Sequence, residues 1–296
     1  MNHAILGAGG VGGLIGAALA RGGDRVSLLL RPETLDKHPD HLWLESPFGD
    51  IKAPVQRTTV LKEPVDVLWI AVKAHQLVAA LRAVPSDASR IGTIVPLLNG
   101  IDHVALLRSR YGQQCVVPAT IAVEAERVGP GHIIQRSPFV RLALSVRGER
   151  QLAGVAERLR RLGFTCDFQA DEQTMLWSKL AFLAPLALTS TVADKTKGEV
   201  FADPTWRERL RSAVREACAV AVAEGASIDG AKILATLESL PATMRSSMQK
   251  DVAAGRMPEL DAIGGPIVRG GLKYGVEVPV TRDLVAGIED GLKKQA

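Results

Sequence analysis

Met1-Asn2-His3-Ala4-Ile5-Leu6-Gly7-Ala8-Gly9-Gly10-Val11-Gly12 opens the chain, a short apolar run entering a glycine-rich turn. Gly7, Gly9 and Gly12 have the G-x-G-x-x-G spacing of a dinucleotide-binding turn, and Gly10 lies within it. Each glycine has a mechanical reason. Gly7 permits a tight strand-to-helix turn, Gly9 lets the backbone approach a pyrophosphate, and Gly12 allows helix and strand to pack closely. Leu14, Ile15, Ala18 and Leu19 then recur at helical spacing. The N–H groups and positive dipole end of that helix would therefore face the phosphates. The glycine spacing by itself is a weak signal, and a strand before it with a helix after it is the context it requires.

Reading outward, β-rich runs alternate with helical ones. Strands are expected at 25–30, 65–72, 93–98, 116–123, 132–135 and 139–144, with helices at 76–84 and 102–111. Gly129-Pro130-Gly131 supplies a turn between two of those strands. The alternation predicts the α/β class, a Rossmann-type doubly wound parallel sheet with an added β-hairpin at its far side. Past residues 164–168 the period becomes helical, at 172–189, 206–224, 231–240, 260–274 and 281–293. Asp203-Pro204 fits an N-cap and first-turn pair, and Gly225 a helix stop. The expected organisation is a dinucleotide-binding domain at 1–168 followed by an all-α C-terminal domain at 169–296. Such a plan would put the active site in a cleft between the two.

Composition narrows the partners. The 296 residues are 47% apolar and 23% charged, with a net charge of +4, which excludes the disordered and fibrous classes. Glu157-Arg158-Leu159-Arg160-Arg161 reads as a solvated helix face rather than a nucleic-acid patch, and mild basicity suits an anionic small molecule. Cys115, Cys166 and Cys218 are an odd count without metal-ligand spacing. They read as small buried hydrophobes in a reducing cytoplasm, with no metal site. No apolar run reaches ~18 residues, so no membrane span is expected, and an N-terminal strand leaves no room for a signal peptide. The expectation is a cytoplasmic protein with a small-molecule substrate and neither nucleic-acid nor membrane partners. A homodimer is expected from the prevalence of symmetric dimers.

The end of the second strand discriminates between cofactors, because NAD enzymes place an acid there for the ribose 2′-hydroxyl. Here it runs Leu28-Leu29-Leu30-Arg31-Pro32, with no acid until Glu33. The guanidinium fork of Arg31 suits a 2′-phosphate, which favours NADP, although an exposed arginine at a strand end is also ordinary.

Three polar residues stand in apolar surroundings. Lys73 follows Leu68-Trp69-Ile70-Ala71-Val72, and Asn99 follows Ile94-Val95-Pro96-Leu97-Leu98, both at carboxyl ends of strands, where α/β proteins bind ligands. Lys179 lies within Met175-Leu176-Trp177-Ser178-Lys179-Leu180-Ala181-Phe182-Leu183-Ala184. Partial desolvation would lower its pKa toward that of a general acid near neutral pH. Taken singly, Lys73 reads equally as a loop cation, Asn99 as a turn residue before Gly100, and Lys179 as a snorkelling side chain.

Together they form a pattern. Ala71-Val72-Lys73-Ala74-His75-Gln76, Leu98-Asn99-Gly100 and Trp177-Ser178-Lys179-Leu180 resemble the ketopantoate reductase (2-dehydropantoate 2-reductase) family. So do Ser246-Ser247-Met248-Gln249-Lys250-Asp251, Glu259-Leu260-Asp261-Ala262-Ile263-Gly264-Gly265 and Tyr274-Gly275-Val276-Glu277-Val278-Pro279. The resemblance runs in order from residue 1 to about residue 285. It implies reduction of a 2-oxo acid ketone by NADPH, most directly 2-dehydropantoate to pantoate in pantothenate biosynthesis. It further implies that Lys179 protonates the carbonyl oxygen, that Asn99 touches cofactor and substrate and orients the lysine, and that Lys73 lies near the nicotinamide. Ser247 would hydrogen-bond the substrate, and Glu259 would bind it and anchor the site. An ammonium donor of this kind stabilises the charge that hydride transfer builds on oxygen.

The sequence departs from the family four and eight residues after the lysine, where substrate-facing asparagines give way to Leu183 and Ala187. That makes the substrate-binding pocket more apolar. It opens a second reading, reduction of a different, more apolar 2-oxo acid or ketone, with Thr189 and Ser190 supplying hydroxyls only if Pro185 distorts the helix. Dehydrogenases of 6-phosphogluconate or 3-hydroxy acids share the two-domain plan but fit the Lys-Leu-Ala and Ser-Ser-Met strings less well. A non-catalytic NADP sensor would need neither Lys179, Ser247 nor Glu259.

Overall fold

Strand Asn2–Leu6 lies at the centre of a five-stranded parallel sheet in the computed structural model, which describes residues Met1–Gln295. The order is Gln56–Thr58, Arg25–Leu29, Asn2–Leu6, Val65–Ile70, Ile91–Pro96. Side chains alternate between two apolar layers, as a sheet covered on both faces requires. Ile5, Trp69 and Val95 join one core with Leu14 and Ile15 of helix Gly10–Arg21. Ala4, Leu6, Leu68, Ile70 and Ile94 join the other, with Leu107 and Tyr111 of helix Asp102–Tyr111. The chain leaves Asn2–Leu6 toward one side of the sheet and returns to its other side at Val65–Ile70. The carboxyl ends of these two strands thus form a topological switch point.

The β structure is richer than the sequence pattern suggests. The turn Gly129-Pro130-Gly131 joins Ala125–Gly129 to His132–Gln135. That hairpin is not an appendage of the parallel sheet. It belongs to a separate four-stranded sheet with His41–Glu45 and Ile51–Pro54, whose Leu42, Leu44 and Ile133 pack into the core beside helix Gly10–Arg21. A third sheet orders Phe164–Gln169, Val140–Ser145 and Ala119–Ala122. Residues 76–84 break into a 3-10 turn, the short helix Leu77–Ala80 and another 3-10 turn, ahead of Pro85.

Two compact units emerge. One comprises Met1–Leu98 and His103–Glu172, the other Asn99–Asp102 together with the residues from Gln173 onward. In the second unit Trp177, Leu180, Ala184 and Leu188 of helix Glu172–Ala193 share a core with Ala213, Ala217 and Val220 of helix Pro204–Ala223 and with Ile263 and Ile267 of helix Leu260–Tyr274. Asp203 caps Pro204–Ala223 by accepting from Thr205 N and Trp206 N. The buried Glu216 accepts from Val280 N and Thr281 N at 2.8 and 2.7 Å, at the start of helix Pro279–Gln295, where the helix dipole favours a carboxylate. Helix Glu172–Ala193 is long and apolar enough to cross a membrane, but 67% of its most apolar stretch is buried, as in a core helix. Cys166 is buried, whereas Cys115 and Cys218 are only half-buried, and all three thiols are free.

Candidate active site

In the first unit the glycine turn fits a pyrophosphate. Gly7 has φ +103°, and a side chain there would lie 2.8 Å from the Ala71 carbonyl and Val72. Gly12 admits no side chain because its Cβ would strike the Gly7 carbonyl oxygen, and Gly10 is pressed against the Ala125 carbonyl. Gly9 is different: nothing lies within 4 Å of where its Cβ would be. It is the N-cap of helix Gly10–Arg21, with no side chain capping the helix. Open space over uncapped N–H groups is what an anionic group at a helix N-terminus needs.

The same switch point holds Lys73. Ala71 N donates to Leu6 O at 2.8 Å, so the strand that ends at Ile70 leads the chain past the glycine turn to Lys73, which is half-buried. Arg31 follows strand Arg25–Leu29, exposed, with its Nε 3.4 Å from Glu33 Oε1. That solvated pair is a weak competitor for the guanidinium.

In the second unit three sequence-predicted residues converge. Asn99 Nδ2 donates to Glu259 Oε2 at 3.0 Å. Burial pushes the Lys179 ammonium down and the charge of Glu259 pulls it up, leaving a pKa of about 8. Glu259 is itself buried and is the N-cap residue of Leu260–Tyr274, yet its carboxylate does not cap that helix. The Asn99 loop is docked by two further contacts. Gly100, at φ +82°, sits where a side chain would hit Ala262 O, and Arg269 joins Asp102 Oδ2 at 2.5 Å to Asp261 Oδ1 at 2.6 Å. Sequence spacing carries no signal for this Asp102–Arg269–Asp261 bridge.

Ser247 is the exposed first residue of helix Ser247–Ala253, beside the Ser246 N-cap, whose hydroxyl accepts from Gln249 N at 3.2 Å. Leu183 is half-buried and Ala187 is buried, one and two turns beyond Lys179 on the same helix face. The helix continues through Pro185 to Ala193. Ser190 Oγ donates to Ala187 O and lies 3.3 Å from Ser246 Oγ, while the buried Thr189 hydroxyl has no partner among the described residues. No cluster of three metal-ligating side chains occurs among the described residues.

This arrangement has relatives. Residues 3–145 match the family described as ketopantoate reductase PanE/ApbA, and residues 171–290 its C-terminal counterpart. A 2-dehydropantoate 2-reductase from Caulobacter vibrioides is 31% identical over 292 residues, 96% of each chain. A PanE/ApbA family ketopantoate reductase from Ralstonia eutropha superposes with a TM-score of 0.88 at 28% identity, covering 100% of this chain and 99% of the other. A D-mandelate dehydrogenase solved with NADH gives 0.85 at 25% identity, covering 99% of each. The fold, the paired family matches and the full-length relatives make this chain an oxidoreductase of the ketopantoate reductase family.

Proposed function

We propose that the chain reduces the ketone of a 2-oxo acid to the 2-hydroxy acid, using NADPH, with 2-dehydropantoate the foremost substrate and Lys179 the general acid. The observation that carries this reading is the bond from Asn99 Nδ2 to Glu259 Oε2 at 3.0 Å, which fixes the carboxylate whose charge acts on the Lys179 ammonium. When bound, the nicotinamide supplies a hydride to the carbonyl carbon. The chain does the rest. Gly9 and the helix N-terminus receive the pyrophosphate, and Arg31 takes the 2′-phosphate. Lys179 Nζ donates a hydrogen bond to the ketone oxygen and gives it a proton as negative charge develops, which an ammonium of lowered pKa does readily. Glu259 keeps enough charge near Lys179 to hold it protonated at neutral pH, and Asn99 fixes the carboxylate. Ser247 offers a hydroxyl to the substrate.

Leu183 and Ala187 favour a second reading, in which the substrate carries an apolar group. Replacing amides by alkyl groups beside a buried polar group costs about 1–3 kcal/mol, one to two decades in binding. Similarity to a dehydrogenase named for mandelate, an aromatic 2-hydroxy acid, supports the same direction. The test is NADPH oxidation with 2-dehydropantoate beside branched and aromatic 2-oxo acids. Turnover of 2-dehydropantoate above the panel supports the first reading and the reverse supports the second. Tight NADPH binding with no turnover of any of them would sink both in favour of a sensor.

A further inference from the structure

Among the described residues Asp194 alone, apart from glycines, has a positive φ, at 47°. It directly follows helix Glu172–Ala193, where the left-handed conformation closes the end and lets Lys195 N donate to Ser190 O at 3.2 Å. Glycine or asparagine serves that position with less strain. A strained residue persists when its surroundings over-determine it, and such outliers point toward function.

The surroundings are the serine turn. Asp194 Oδ1 accepts from Arg245 Nη1 at 3.0 Å and from Gln249 Nε2 at 3.4 Å. Gln249 Nε2 also donates to Lys195 O at 3.2 Å, and Ser190 Oγ meets Ser246 Oγ at 3.3 Å. Four contacts therefore join Ser190 in the last turn of the Lys179 helix, and the two residues that follow the helix, to residues 245–249, which bracket Ser247. Ser190 lies on the Lys179 face, three turns further along. Glycine would cap the helix equally well and could make none of the Asp194 contacts.

We infer that Asp194 is a positioning residue that locks the Ser247 turn to the Lys179 helix, so that the hydroxyl and the ammonium meet one substrate at a set separation. The inference rests on the proposed role of Ser247. Because the Asp194 carboxylate is 83% exposed, the expected effect is moderate.

Asp194→Gly relieves the backbone strain and removes the carboxylate. The melting temperature should stay level or rise. The KM for 2-dehydropantoate should rise about threefold to tenfold, with kcat changed less than twofold. Amide hydrogen exchange at 245–250 should quicken in the unliganded protein, a readout that needs no substrate. Asp194→Asn, which tolerates the same φ and keeps an acceptor oxygen, should recover much of both effects. Exchange at 245–250 unchanged in Asp194→Gly, or KM within twofold of the parent while Ser247→Ala raises it, overturns the inference. If Ser247→Ala leaves KM unchanged, the substrate-binding role of Ser247 falls instead.

Discussion

Asn99 and Glu259 are 160 residues apart in the chain, yet the asparagine amide donates to the glutamate carboxylate at 3.0 Å. The Glu259 carboxylate does not cap the helix it precedes, and its charge acts on Lys179. The candidate acid is thus tuned by a carboxylate that is held from outside its own helix. Burial and that carboxylate pull the lysine in opposite directions, and the net result is a pKa near the working pH of a cell.

A general acid must carry its proton. The rate of 2-oxo acid reduction should therefore be level below pH 8 and fall as pH rises through about 8. Lys179→Met should lower turnover by about 10²–10⁴ and flatten that profile. Folding carries the opposite slope. Between about 8 and the ordinary lysine value of 10.5, the unfolded chain binds a proton that the folded protein has released, so stability rises with pH across that window. Denaturant titrations of the parent and Lys179→Met at pH 7.5 and 10 would show it; equal slopes in the two proteins contradict the assignment.

Gly9 and Gly12 should separate binding from folding. A methyl at Gly9 meets open space, so Gly9→Ala should melt within a degree or two of the parent while NADPH affinity drops about tenfold or more. Gly12→Ala drives a methyl into the Gly7 carbonyl and should lose several degrees of melting temperature without any ligand. Calorimetry and fluorescence titration check both.

Arg31→Ala should raise the KM for NADPH by about 10- to 100-fold, the loss expected for a charge-assisted contact to phosphate, and leave the KM for NADH nearly unchanged. Equal effects on both nucleotides would remove Arg31 from 2′-phosphate recognition.

Glu172, the first residue of the lysine helix, receives Arg108 through two bonds of 2.7 and 3.0 Å and Ser145 Oγ at 3.2 Å. Burial pushes its carboxyl up, but Arg108, Arg147 and Ser145 outweigh this and hold it below the ordinary 4.5. Its contribution to stability is thus complete above 4.5 and lost as pH falls through the lower folded value. Arg108→Ala strands the mostly buried carboxylate and should destabilise the protein by about 2–4 kcal/mol in denaturant titrations at pH 7, with a smaller loss at pH 3.

Local chemistry was the legible part of the sequence. The glycine turn announces itself because its three constraints lie within six residues, and Leu260–Tyr274 has the bounds its period predicts. His41–Glu45 alternates buried and exposed side chains over five residues, a strand signal that is easily passed over beside the longer apolar runs. Residues 76–84 have helical spacing, but the segment divides into single turns. Helices Lys197–Ala202 and Ser247–Ala253 are too short for periodicity to register. Asn99 and Glu259 each stand out alone, but their bond is a product of tertiary packing that no spacing rule reaches. Asp194 is less legible still, since its meaning lies in a dihedral angle.

The grouping of Asn99–Asp102 with the helical unit also bears on how such a protein can be cut and recombined. A gene fragment starting at Gln173 encodes Lys179 and Glu259 but leaves Asn99 behind, and with it the Asp102 anchor for Arg269. One starting anywhere after Asp102 does the same. Grafting the helical half onto a foreign dinucleotide-binding half therefore transplants a site lacking one of its own amides, unless the recipient carries an Asn-Gly-x-Asp loop after its corresponding strand. The helical unit is discontinuous in the chain, so the candidate site passes on as a whole chain rather than as a detachable cassette.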